Sequence, residues 1–599
     1  MTLNKMNNEK FLYLTSFAFA LIFRLFDLGA IPLTEFEANW ALQAFQVTID
    51  QATTLGPQPA YIFLTGFLFN LFGSSDFLAR LLPALAGTAI LYFPFTLRDK
   101  IGRSAALIFA FALAFDPGLV SLSRIAGGPI FAISFFVLAI SFAIKKKFEL
   151  AGAFLGLYLL SGPIAIIGLL IIGLSIVFYV IIQKNEMLIS KTELQRVGLS
   201  AGITFVLVAT NLFRTPSGIS AFGSSITAFL QGFTNPSQIG FGRQILALLT
   251  YQPLAIIFTI YGFRFAQRSN NALIKSSLPM LVIGFLWMIV YPARQVGDLV
   301  WIIIPLWCIA SIGLSEFIKR KPILNWTVIL ATALVILLLF VFVWLLFINL
   351  SALSQPPMWG DMLTALSKGQ FNQINQFDFA TKSYFARIGT LILLPLLTVL
   401  LTLLGGLWWN SKDVWTGYGW GVLSFLLIFV AGSTWNANYM RSRQVNELWG
   451  PGTSSGYPDL IYQTVESLSI ANFGSDQDID VYSQVDSNSL AWTFRNFPNY
   501  QYAKEISYDE FPSVVITPDH SGDPNLNSSY RGQSFMLAQQ KSWENQLLPP
   551  NFPNWLAFRN TLSTPEMVIV WVTTELFPDS TVPETENPLI DPFPLESQP

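Results

Sequence analysis

The stretch Pro32-Leu33-Thr34-Glu35-Phe36-Glu37-Ala38-Asn39-Trp40 places two carboxylates directly after an apolar run. A carboxylate facing a cavity could take a proton from a hydroxyl as general base, or hold a divalent cation such as Mg or Mn. The same residues carry a second reading. Thr34-x-x-Glu37 is a capping box opening a helix over 35–47, with Glu35 complementing the helix dipole. The two roles are compatible. Arg124 closes the third apolar run, and Arg294 lies in the polar cluster Tyr291–Asp298. A guanidinium at the membrane boundary can grip a phosphate bidentately, or simply reach for the interface. Arg80 follows Asp76 by four residues, which on a helix makes an i,i+4 pair. Asp116, inside an apolar run before Pro117, is either a buried polar partner or a site residue. The single histidine, His520, sits in a Pro-Asp-His-Ser turn and reads as a solvated loop residue; the single cysteine, Cys308, lies in an apolar run. These counts exclude an intrachain disulfide, and they exclude histidine/cysteine metal sites and a Ser-His-Asp triad from the apolar part.

The elements that must position these groups are membrane spans. Of 599 residues 53% are hydrophobic and 12% charged, half the roughly 25% charge of a soluble domain. Apolar runs long enough for a ~30 Å hydrocarbon core lie at 11–31, 77–97, 104–122, 128–144, 149–161, 164–183, 197–213, 244–263, 276–291, 299–315, 324–350, 387–409 and 414–434. The expected fold is mainly α: a polytopic transmembrane helical bundle of about 13 spans over 1–434. Residues 435–574 should form a small extracytoplasmic α/β C-terminal domain, and 575–599, rich in Pro, Glu and Asp, a disordered tail. The first run, with Lys5 and Lys10 before it and no small-residue cleavage site, reads as a retained span.

Basic clusters at Lys5/Lys10, Arg98/Lys100/Arg103, Lys145–Lys147, Lys184/Lys191/Arg196, Arg264/Arg268/Lys275, Lys319–Lys321 and Lys412 fall on one face if Pro59–Gly73 does not span. The positive-inside rule makes that face cytoplasmic. Pro59–Gly73 then belongs to an outer loop, 32–76, as an interfacial or re-entrant helix, and the C-terminus lies outside. Outer loops 214–243 and 351–386 exceed simple connectors and suggest lids or lateral helices. In the soluble part, 459–470, 479–483, 489–497, 513–518 and 567–572 read helix, strand, helix, strand, strand. A net charge of −2 and the lack of a basic cluster argue against a nucleic-acid partner.

From Arg24 to Gly162 the sequence resembles the GT-C superfamily of membrane glycosyltransferases. It is most similar to the group of dolichyl-phosphate-mannose-protein mannosyltransferases and lipid A aminoarabinose transferases, within its flippase-activity-associated branch. The matching elements, in order, are Arg24…Leu28-Gly29, Pro32-Leu33…Glu37-Ala38, Gly56-Pro57-Gln58-Pro59-Ala60-Tyr61, Leu71-Phe72-Gly73-Ser74-Ser75-Asp76, Arg80-Leu81-Leu82-Pro83, Ile101-Gly102-Arg103 and Pro117…Ser123-Arg124. In the soluble part, Leu490-Ala491-Trp492-Thr493-Phe494-Arg495 resembles the branch's Trp-Tyr-Leu-Arg element.

The resemblance implies an Asp-Glu pair in the first outer loop, a polyprenyl-phosphate-linked sugar donor, and a cavity at the outer leaflet. Here the Asp position is Phe36, leaving Glu37, with Glu35 as substitute. A further acid after Ser123-Arg124 is replaced by Gly127-Gly128. The expectation is therefore a glycosyltransferase moving a sugar from that donor to a glycan, lipid or protein acceptor on the extracytoplasmic face. Glu37 and Glu35 would be the catalytic or metal-binding acids. Arg124 and Arg294 would hold the phosphate, and Asp298, Arg80 and Tyr61 would complete the substrate-binding set. An inactive relative that binds or helps translocate lipid-linked sugars is the second reading. A secondary transporter, which would show inverted repeats and broken mid-membrane helices, is the third.

Overall fold

The computed structural model describes residues 2–49, 55–183, 190–237, 239–268, 272–319, 325–353, 356–450, 453–507, 509–520, 528–543, 546 and 548–577. Of the disordered tail expected over 575–599, the first residues are ordered instead. The 3-10 turn Thr574–Leu576 continues the β-strand Ser563–Thr573, Leu576 and Phe577 pack against the smaller unit's core, and 578–599 lie outside the described residues. The chain divides into two compact units: residues 1–455 with 539–564, and residues 456–538 with 565–599. The segment Gln539–Thr564, read from the sequence within the soluble part, thus groups with the apolar unit.

The larger unit is helical. Among the described residues six helical segments are long and apolar enough to cross a membrane, or eight if each of two bent pairs is one span. The sequence reading of about 13 spans counts as crossings several shorter helices, such as Ile130–Ile144 and Phe148–Leu159. The two bent pairs were each read as one straight span. Arg103–Phe115 and Pro117–Ser123 meet at 54°, and Phe241–Tyr251 and Pro253–Arg268 at 82°. In each case proline follows the break, because its ring clashes with the preceding turn and it has no N–H to donate.

Asp116 and Gln252, the two break residues, are hydrogen-bonded to each other. Gln252 Nε2 donates to Asp116 Oδ2. The same carboxylate caps the second half-helix through Leu119 N (2.8 Å) and accepts from the indole of Trp307 at 2.7 Å. Of the two readings offered for Asp116, the structure shows the buried polar partner.

The first loop is helical too. Glu35–Thr48 and Pro59–Phe72 pack against each other, and the second buries Ala60, Tyr61, Ile62, Phe63 and Phe69. Of the two long loops, 214–243 carries the helix Gly218–Gln231, and 351–386 carries Trp359–Ser367 and the 3-10 turn Phe371–Gln376.

In the smaller unit the five patterned stretches fold as read. Helices Pro458–Phe473 and Asn488–Thr493 accompany strands β1 (Val481–Ser483), β3 (Val514–Pro518) and β5 (Ser563–Thr573). Two further strands, β2 (Tyr500–Tyr502) and β4 (Tyr530–Lys541), give five of the sheet's six strands the order β4-β5-β3-β1-β2. β1 is parallel to both β2 and β3, and β3 is antiparallel to β5 with Val514 opposite Val572. The core gathers Ile461, Val465, Val481, Leu490, Phe494, Val514, Ile516 and Val570.

Candidate functional site

Glu37 sits where the first loop turns into its helix, and the expected capping box is present. Thr34 Oγ1 accepts from Glu37 N, while Glu37 Oε2 accepts from Thr34 N at 3.1 Å. The box is only part of its surroundings. Arg80 donates to both carboxylate oxygens at 2.7 Å, Ala126 N donates to Oε1 at 2.9 Å, and the Thr34 hydroxyl donates to Oε2 at 3.1 Å. A carboxylate offers about four lone-pair sites, so five donors saturate it. Burial alone would raise the Glu37 carboxyl; the Arg80 guanidinium and the Ala126 and Thr34 hydrogen bonds outweigh that and hold it below its ordinary range.

Arg80 is equally occupied. Beyond Glu37 it donates to the carbonyls of Leu28, Ile31 and Pro32, so all five of its N–H donors are engaged. The ion pair it makes is with Glu37, not the i,i+4 pair with Asp76 expected from spacing. Rather than decorating its own helix, the guanidinium ties down the whole turn from Leu28 to Glu37.

Arg124 faces the same turn from the other side. It donates to the carbonyls of Arg24 (3.2 Å), Phe26 (2.6 Å) and Asp27 (3.1 Å) and lies 4.8 Å over the Tyr439 ring. These bonds leave two of its five donors uncommitted. Behind it the fully buried Arg24 donates to Ser123 Oγ and to the carbonyls of Ala20, Leu113 and Ala114. Gly87 is needed there, because a Cβ would stand 2.0 Å from Ser123 Oγ.

Glu37, Arg80 and Arg124 line one cavity of ≈ 110 Å³, together with Asp27, Thr34, Ser121 and, from beyond the last long helix, Asn438, Gln444, Val445, Glu447 and Trp449. The other expected residues lie elsewhere. Glu35 is half-buried in the first turn of its helix. Tyr61 donates to the carbonyl of Ala79 and packs on Phe131, pinning Pro59–Phe72 to the next helix. Arg294 closes the end of the helix before it by donating to the carbonyls of Tyr291 and Ile289. Asp298 accepts from Gln295 N in a capping box of its own.

The wall from Val445 to Trp449 was not singled out by the sequence. All five residues are buried without regular secondary structure, so their polar groups need partners from elsewhere. Arg243, fully buried, donates to the carbonyls of Leu448 and Gly450; Lys541 donates to that of Glu447, and the Trp555 indole to that of Asn446. The Asn446 side chain bridges the Trp543 indole and the Thr561 carbonyl. The Trp449 ring packs so tightly on Gly118 that a Cβ there would stand 2.6 Å away.

Glu447 Oε1 accepts from the Tyr251 hydroxyl, which accepts in turn from Arg559 Nε at 3.0 Å. Glu447 Oε2 lies 3.5 Å from Arg559 Nε and carries no hydrogen bond. The Arg559 guanidinium, stacked 4.4 Å over Trp555, would lose its proton more readily through burial, but Tyr251 and Glu447 hold it above its ordinary range.

The divalent cation that the first-loop carboxylates could hold finds no ligand set among the described residues. Among the described residues no three His, Cys, Asp or Glu side chains gather as a metal site, and the Glu37 oxygens are already saturated.

No protein-family model matches the sequence, and no curated protein does. Solved structures do match. ArnT from Cupriavidus metallidurans bound to undecaprenyl phosphate superposes with a TM-score of 0.51 at 13% identity, over 96% of this chain and 99% of that one. An oligosaccharyltransferase from Archaeoglobus fulgidus in the apo form gives a TM-score of 0.40 at 12% identity, over 81% of this chain and 64% of that one. The chain is a multi-pass membrane protein that shares the fold of ArnT.

Proposed function

We propose that this chain binds a polyprenyl-phosphate-linked sugar at the extracytoplasmic face and transfers the sugar to an acceptor. The observation that carries the reading is the cavity under the first loop, in a fold shared end to end with a protein crystallised with undecaprenyl phosphate. Arg124 is the cavity guanidinium with donors left for a phosphate. Glu37 and Arg80 hold the loop that forms the opposite wall. The basic clusters support that side: with Pro59–Gly73 not spanning, the positive-inside rule puts them on the cytoplasmic face and the first loop on the other. Because the donor's leaving group is an activated phosphate, positioning and charge stabilisation supply most of what transfer needs.

One observation favours the second reading, binding and presentation without turnover. A carboxylate holding five donors has no lone pair for an acceptor proton, so Glu37 acts as base only if its clamp opens. Both readings meet one experiment. The purified chain in nanodiscs is titrated with undecaprenyl phosphate, then incubated with a panel of undecaprenyl-phosphate hexoses and pentoses while free undecaprenyl phosphate is measured. Binding above a phosphatidylglycerol control, weakened about tenfold by Arg124→Gln, supports the shared part. Release with an added acceptor supports transfer; binding without release supports presentation. No binding at all sinks both.

A further inference from the structure

The cavity wall from Val445 to Trp449 holds two buried polar atoms without hydrogen bonds: Glu447 Oε2, an acceptor 3.5 Å from Arg559 Nε, and the Trp449 indole N–H, a donor. Buried polar atoms are seldom left so, since each forgoes the bonds it had with water. The surroundings show that the arrangement is built. Tyr251, itself held by Arg559, holds the Glu447 carboxylate by its other oxygen, and Gly118 makes room for the Trp449 ring. The cavity volume of ≈ 110 Å³ is several times the ~10–15 Å³ that suffices for one water.

A carboxylate acceptor, an indole donor and an aromatic ring on one wall match a group that both donates and accepts and has an apolar face. A sugar ring with its hydroxyls has that chemistry. The phosphodiester of a sugar-linked lipid does not: it has no O–H to donate, no apolar face, and a negative charge that the Glu447 carboxylate repels.

We propose that Glu447 and Trp449 form a hydroxyl-reading subsite for the sugar of the lipid-linked ligand, in the same cavity as Arg124, which meets its phosphate. Tyr251 and Arg559 are positioning residues for Glu447. The inference rests on the proposed lipid-linked ligand, and it holds whether or not that ligand is turned over.

The test compares, in nanodiscs, the affinity for undecaprenyl phosphate with that for a panel of undecaprenyl-phosphate hexoses and pentoses. Wild-type protein should bind at least one sugar-linked lipid about tenfold or more tighter than the bare lipid phosphate, as a charge-assisted hydrogen bond allows. Glu447→Gln should erase most of that preference while the bare lipid binds within about twofold of wild type. Trp449→Phe, which keeps the ring and removes only the donor, should reduce the preference about threefold. A preference that survives Glu447→Gln overturns the subsite. So does wild-type protein that binds bare and sugar-linked lipids alike, although the lipid-phosphate reading then stands. Failure to bind undecaprenyl phosphate at all overturns that reading and the subsite with it.

Discussion

Glu37 and Glu447 face one cavity from opposite ends of the chain, and their surroundings differ in kind. Glu37 is held by five donors drawn from the first loop, the Arg80 helix and the segment after Arg124. Glu447 has one hydrogen bond, from Tyr251, and an ion pair with Arg559 through the oxygen that lacks one. Both carboxylates are buried beside arginine, so burial and charge pairing do not separate them. What separates them is residual hydrogen-bonding capacity. A saturated carboxylate fixes structure, whereas one with an empty lone pair is poised for a ligand.

The largest expected effect attacks the saturated side. Arg80→Ala leaves Glu37 buried without its cation, and loss of one partner of a buried pair typically costs about 3–5 kcal/mol. Thermal unfolding in detergent should show a collapse of stability; a variant as stable as wild type would erase the contrast. Glu37→Gln keeps the shape and removes the charge, and should cost about 2–3 kcal/mol as charge-assisted bonds become neutral ones.

Glu37 also sets a pH dependence. Its folded-state pKa lies below the unfolded value of 4.5, so its contribution is complete above that value and is lost as pH falls through the folded pKa. Wild-type stability should therefore decline on the acid side of pH 4.5. In Glu37→Gln that part of the decline should be missing, which acid titration of the unfolding midpoint would reveal.

Glu447→Gln should cost less, about 1–2 kcal/mol, because glutamine still accepts from Tyr251 and Arg559 keeps its bonds to Tyr251, Trp555 and Leu556. The smallest expected loss, about 1 kcal/mol, is for Gly118→Ala, which pushes the Trp449 ring off its seat. That variant sharpens the comparison by disturbing the Glu447 wall while leaving the Glu37 clamp in place. Its tryptophan emission should change even if the melting temperature hardly moves.

The same contrast explains what the sequence disclosed. Thr34-x-x-Glu37 was legible because a capping box is closed within four residues. Arg80 was assigned to Asp76 because only local spacing was visible, whereas its actual partner is 43 positions away. The bundle and the patterned strands were legible from hydrophobicity and its period. Strand β4 was not, since a run of four exposed residues, 531–534, interrupts any alternation. The Val445–Trp449 wall has no period at all, and its burial depends on Arg243, Lys541, Trp555 and Arg559 arriving from distant segments. Arg294, Asp298 and Tyr61 had types suited to substrate, yet their polar atoms serve nearby backbone.

The joined breaks at Asp116 and Gln252 bear on how the protein is made. A polar break in a membrane-spanning helix needs a partner before it can settle in lipid, and Asp116 finds Gln252 and Trp307 only after a further stretch of chain has left the ribosome. Until then its carboxylate has its own helix cap alone. The early spans must therefore wait, shielded by the insertion machinery or close to water, and lock only when the second broken span arrives. Translation intermediates arrested before Gln252 should leave a probe at position 116 open to aqueous labelling, and those arrested well beyond Trp307 should not. Equal labelling in both would mean that assembly does not wait for this contact.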